Sequence, residues 1–221
     1  DKQLPAVLLI MGLGMPAAAG RRSFISMLLE KSLRVITVDN RDAAYPSTFS
    51  HLKRLSPFLL PSEELFFACR SKHHLLEDMA LDLVQLLDEL KLQRAHVVGA
   101  SMGGMIGQTL ASIRPSRVAS LTSIMSASGN PRTGFGKTAR NLFNLDALER
   151  SLHRRREREA SGKSIYDSES PRLRYTAQEK HELLHEMSRY EIDQTAGERQ
   201  LLAILASGDR SSDIARITAR H

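Results

Sequence analysis

Residues 97-VVGASMGGMIG-107 constrain the fold of this chain more than any other stretch. A β-branched run, 95-AHVVGA-100, leads straight into Gly99-Ala100-Ser101-Met102-Gly103. A helical pattern, 102-MGGMIGQTLASI-113, leads straight out. A strand that restarts at once as a helix must turn sharply. That puts Ser101 in a strained conformation with its hydroxyl exposed. Glycine is needed at Gly99 and Gly103, where side chains would collide across the turn. Gly104 and Gly107 are expected to let the helix pack close to the sheet. The helix N-terminus beneath Ser101 offers unpaired N–H groups and the positive end of a dipole, which suits an oxyanion. Strand, G-x-S-x-G and helix in this order are the setting of a nucleophilic serine. The alternative is a glycine-rich turn that binds phosphate or nothing.

The flanking pattern agrees with a parallel sheet. The segment 4-LPAVLLIM-11 is a continuous apolar run, as expected of a strand buried on both faces. Phe24, Ile25, Leu28 and Leu29 recur at helical spacing, and 33-LRVITVD-39 predicts a second buried strand. Leu75, Leu76, Met79, Leu83, Leu86, Leu87 and Leu90 form one stripe of a helix over 75–90. The segment 118-VASLTSIMS-126 predicts a fourth strand. Strand–helix alternation of this kind predicts an α/β class, with a mostly parallel sheet and flanking helices over residues 1–130. After 129-GNPRTGFG-136 the composition shifts, and 139–160, 172–195 and 197–207 read as charged helices. The stretch 43–72 is a long connection containing 65-LFFAC-69, part of which is expected to pack as a short helix.

A second glycine-rich turn, Met11-Gly12-Leu13-Gly14, follows the first strand. An oxyanion hole needs two N–H donors, one after the nucleophile and one from a neighbouring strand's loop. Met102 is the candidate for the first and Leu13 for the second, with Gly12 letting the backbone turn inward. An ordinary glycine turn is the alternative. A dinucleotide site is disfavoured because no G-x-G-x-x-G follows Gly12.

Charge narrows the partners. The chain has 31 Lys+Arg and 25 Asp+Glu, a net charge of +6. Acidic residues interleave with basic ones, even at 153-HRRREREASGK-163, so no nucleic-acid stripe forms. Cys69 is the single cysteine and is expected to be buried and inert. No apolar run reaches the roughly 20 residues of a membrane span. With no secretory signal visible, a cytoplasmic location is expected.

Together, 7-VLLIMGLGMP-16, 35-VITVDNRD-42, 77-EDMALDLVQLLDEL-90, 94-RAHVVGASMGGMIGQTLA-111 and 117-RVASLTSIMSASGNP-131 resemble the α/β-hydrolase superfamily, in its methylesterase and proline-iminopeptidase-like branch. The resemblance weakens through the helical segment and returns at 199-RQLLAILASGDRSSDIARIT-218. It implies a serine esterase without a cofactor or metal, acting on a small-molecule ester through an acyl-enzyme. Ser101 is then the nucleophile, with Met102 and Leu13 as oxyanion donors and Gly99, Gly103 and Gly12 as support. Asp39-Asn40-Arg41-Asp42 matches the stretch that supports the site from below, although 43-AAYPST-48 departs from the family's glycine and serine pattern. Residues 131–205 match a helical cap, and 206–221 match a return toward later core strands. A perhydrolase or C–C bond hydrolase, or a non-catalytic binding fragment, are the alternatives.

Such chemistry also needs a base and an acid. By the resemblance these follow later strands, expected beyond His221, and an N-terminal strand pair is expected before Asp1. The isolated chain is therefore expected to be inactive. Among the histidines, His96 reads as a packed strand residue, and His73 and His74 as solvated. His181 and His185, four apart, read as a surface face rather than a metal site. Met102, Met105 and Met125 are expected to pack near the turn at Ser101, and Met11 and Met15 to line an acyl pocket. No carboxylate occurs in Ser126-Ala127-Ser128-Gly129-Asn130 to serve as the acid after the fourth strand.

Overall fold

Four apolar segments become strands: β1 (Ala6–Ile10), β2 (Arg34–Val38), β3 (Ala95–Ala100) and β4 (Val118–Ile124). The computed structural model describes residues 4–20, 22–41, 43, 74–130 and 196–219, with isolated positions at 176, 178, 181, 182 and 185. The strands form one parallel sheet in the order β2-β1-β3-β4. Helix α1 (Arg22–Glu30) connects β1 to β2, α2 (Leu76–Glu89) precedes β3, and α3 (Met102–Ile113) connects β3 to β4. Helices α4 (Ala196–Ser207) and α5 (Ser211–Ile214) follow, and two short 3-10 turns lie at Ala17–Ala19 and Pro115–Arg117.

Burial explains the strand composition. All five residues of β1 are buried, since it lies between β2 and β3 with helices over the sheet. Ala6, Leu8 and Ile10 join Leu76, Met79, Leu83 and Leu87 of α2, Ile106 and Leu110 of α3, and Ala203 of α4 in one core. Each fully buried aliphatic side chain contributes about 1.5–3 kcal/mol. The N-terminus of α2 is tied down twice. The Asp78 carboxylate accepts the Leu75 N–H at 2.7 Å, and Ser207 Oγ of α4 accepts the Leu76 N–H at 3.1 Å.

Several expectations change. The strand β2 is only partly buried and Thr37 is exposed, because among the described residues β2 pairs with β1 alone and forms an edge. Helix α1 has the expected apolar spacing but buries no residue, and Phe24, Met27 and Leu29 are exposed. His74 is buried rather than solvated, since it enters α2 at its packed end. Met125 is 80% exposed, because the chain turns out of β4 there at φ 48°. His96 is half-buried in β3, as expected, with Nδ1 2.8 Å from Ser120 Oγ on β4.

The chain divides into two compact units, Asp1–Asn130 with Arg189–His221, and Pro131–Ser188. Helix α4, most of which the resemblance puts in the 131–205 cap, belongs to the first unit, where Leu201, Leu202, Ala203 and Ala206 are buried. In the second unit Gln178 donates to Glu182 one helical turn on at 2.8 Å, and His181 and His185 are exposed. The expectations for 43–72 (Ala43 apart), for Cys69, and for 139–160 and 153–163 lie outside the described residues, as does most of the expected cap.

Leu87→Ala, at a fully buried position, should cost about 2–5 kcal/mol in urea denaturation. Met27→Ala, at a position 55% exposed, should stay within about 0.5 kcal/mol.

Candidate active site

The strand order creates the site. From the pair β1 and β3, the chain leaves toward β2 on one side and toward β4 on the other. The loops diverge at the carboxyl ends of the two strands, the place where open α/β sheets bind ligands. Ser101 follows β3 and Gly12-Leu13 follows β1, so both border it. Register brings them level, because Ile10 pairs with Gly99.

Ser101 has φ 53° and ψ −117°, a region that non-glycine residues rarely occupy. The surroundings hold it there through the backbone. Its N–H donates to the Ile124 carbonyl at 2.8 Å. Its carbonyl accepts from Ser126 Oγ at 2.8 Å, from Gly104 N–H at 3.1 Å and from Met105 N–H at 3.2 Å. Among the described residues no imidazole or carboxylate hydrogen-bonds its hydroxyl.

The two flanking glycines are demanded by contact. A Cβ on Gly103 would run into the carbonyls of Ile10 and Met11, and one on Gly99 into the Gly103 carbonyl. Gly107 is the milder case, with a Cβ falling 2.9 Å from Leu121 Cδ1. Met102 sits at the first position of α3, where the helix supplies no acceptor for its N–H. Its side chain is fully buried in the core.

On the β1 side, Met15 N–H donates to the Gly12 carbonyl at 3.2 Å, closing a turn with Leu13 and Gly14 at its centre. Gly14 has φ 67°, as the third residue of a type II turn requires. A Cβ on Gly12 would sit 3.5 Å from both the Ala100 carbonyl and Ser101 Cβ, so this turn lies against the strand exit. Leu13, half-buried, packs on the core. The structure thus gathers Gly99, Ser101, Met102, Gly103 and Gly12 at one place, with Leu13 next in the turn.

Asp39, Asn40 and Arg41, from the stretch expected by the resemblance to support the site, brace this place, while sequence reasoning missed Gln200 and Arg210. Asp39 Oδ1 accepts the Ala17 N–H at 2.6 Å, and Asn40 Nδ2 donates to the Met11 carbonyl at 2.9 Å. Arg41 makes a two-pronged ion pair with Asp82 of α2, one prong at 2.7 Å. Gln200 of α4 accepts the Gly14 N–H and donates to the Arg41 carbonyl, each at 2.6 Å. No local sequence signal pointed to Gln200, whose partners lie 186 and 159 residues away. Arg210 braces the β4 exit, donating to the Ala127 carbonyl from Nη2 and to the Ser128 carbonyl from its N–H, both at 2.8 Å. Burial pushes its guanidinium below the ordinary value, against the opposing pull of Asp209 and Asp213.

Residues 5–219 match the family described as the alpha/beta hydrolase fold. The chain belongs to this family. Curated relatives include a protein named carbamate hydrolase RutD from Variovorax paradoxus (strain S110), 37% identical over 116 residues, covering 52% of this chain and 36% of that protein. Rhodomycin D methylesterase DauP from Streptomyces sp. (strain C5) is 30% identical over 116 residues, 52% of this chain and 33% of its own length. These matches span about a third of the curated relatives. A hydrolase from Pseudomonas aeruginosa PA01 shares the fold with a TM-score of 0.62 at 19% identity, covering 99% of this chain and 70% of that one.

Gly103→Ala should cost roughly 1–3 kcal/mol or more, because rigid backbone cannot yield to the added carbon. Gly197→Ala in α4, with nothing within 4 Å of the new Cβ, should leave stability unchanged or raise it by up to about 1 kcal/mol. Thermal unfolding of the two variants tests the contrast.

Proposed function

We propose that the protein is a serine hydrolase that cleaves carboxylic esters of small molecules through an acyl-enzyme on Ser101. The strained backbone of Ser101 at the head of α3, level with the Gly12 turn, carries this reading. Ser101 Oγ attacks the ester carbonyl while a base takes its proton. The negative charge that develops on the carbonyl oxygen is met by the N–H groups of Met102 and Leu13, aided by the α3 dipole. The tetrahedral adduct collapses, expelling the alcohol with a proton from the conjugate acid of the base. Water, activated by the same base, then releases the acid and frees Ser101. A histidine and an acid outside the described residues complete the machinery. The names methylesterase and carbamate hydrolase, borne by two relatives, accord with attack on such a carbonyl.

A fluorophosphonate probe is expected to label the intact protein at Ser101, with labelling lost in Ser101→Ala. Hydrolysis of p-nitrophenyl acetate should fall by about 10³-fold or more in that variant. Full turnover by Ser101→Ala would sink the reading and favour a binding role for the fold.

A further inference from the structure

We propose that Gln200 is a positioning residue that fixes the oxyanion donor of the β1 turn, an inference that rests on the Ser101 reading above. Gln200 is fully buried on α4, far along the chain from the turn. A buried primary amide is tolerated only where its polar atoms find partners. Both do: Oε1 accepts the Gly14 N–H and Nε2 donates to the Arg41 carbonyl, each at 2.6 Å.

The placement of those bonds matters more than their number. The candidate donor, Leu13 N–H, belongs to the Gly12–Leu13 peptide. The peptide before it carries the Met11 carbonyl, held by Asn40 Nδ2 at 2.9 Å. The peptide after it carries the Gly14 N–H, held by Gln200. The donor peptide is therefore bracketed by two pinned planes. The turn itself does not pin the second plane, since its own bond uses Met15 N–H and the Gly12 carbonyl. Type I and type II turns differ by a flip of that central plane. Gln200 selects the type II state by accepting the N–H in the orientation that φ 67° at Gly14 provides. The anchors share one support, because Asn40 and Arg41 are adjacent and Arg41 is clamped to Asp82 of α2. A donor fixed before the reaction helps the transition state more than the bound ester, so Gln200 acts on the rate of attack rather than on substrate binding.

The test uses Gln200→Met in the intact protein, which keeps the side-chain length and removes both bonds. Losing one oxyanion donor outright costs about 10²–10³ in rate, so a loosened one should cost about 10-fold in kcat on p-nitrophenyl acetate. KM should stay within about 2-fold, and affinity for a trifluoromethyl ketone, which forms a tetrahedral adduct, should fall by the same factor as kcat/KM. Amide exchange at Gly14 should accelerate, a readout independent of activity. Parent kcat with parent Gly14 exchange would overturn the proposal, as would a loss confined to KM. If Gln200→Met does not fold, Gln200→Asn takes its place, keeping a neutral amide one carbon too short to reach Gly14, and unchanged kcat with unchanged Gly14 exchange there overturns the proposal. Ser101→Ala serves as the separate control. If it retains turnover, the hydrolase reading fails and this one with it. If it is inactive while Gln200→Met matches the parent, only this one fails.

Discussion

The contact on which the rest of the structure depends is the one between the head of α3 and the end of β1. Gly103 lies against the Ile10 and Met11 carbonyls with no room for a single carbon. The helix can therefore start one residue after the strand ends, directly under Ser101. The strained φ of that serine follows from this closeness, and it persists because Ile124 and Ser126 hold its backbone from the far side. Strain of this kind costs about 1–3 kcal/mol and survives only where neighbours over-determine it. Here neighbours from β1, β4 and α3 all converge on it.

Around that contact the molecule divides its labour by polarity. Apolar side chains from β1, β3, α2 and α3 make the core that sets the sheet. Above it, at the carboxyl ends of the strands, single polar groups do the aiming. Asp39, Asn40, Gln200 and Arg210 each satisfy a backbone group that the diverging loops leave without a strand partner. Each such bond is modest in net stability, about 1 kcal/mol, but leaving a buried backbone group unpaired costs more. The polar braces therefore shape loops that the core cannot reach.

Much of this was legible in the sequence, for reasons that differ by element. The strands β1 and β3 and the helix α2 follow from runs and stripes whose period matches their geometry. The sharp strand-to-helix turn at Ser101 follows from Gly99, Ser101 and Gly103, because few other local structures demand that order. The edge position of β2 was not legible: a strand's composition reports β-propensity, while its burial depends on neighbours chosen by the sheet order. For the same reason the apolar face of α1 did not foretell its exposure. His74 misled because a polar residue at a helix start is usually solvated, whereas this end of α2 is packed, with Ser207 of α4 accepting the Leu76 N–H. Gln200 was invisible as a brace because its partners lie 186 and 159 residues away along the chain, and no local pattern encodes a contact at that range.

The pairing of Ile10 with Gly99 ties two things together that could have been separate. A slip of one residue between these strands would turn every side chain to the opposite face, and a slip of two would carry Gly12 away from Ser101 by about 6.6 Å. A chain that pairs its strands wrongly therefore shows neither a sound core nor an assembled site. The geometry around Ser101 is a product of completed folding and not of any local segment. Nascent or mispaired chains, which still carry the same serine, lack this arrangement until the sheet has closed in register.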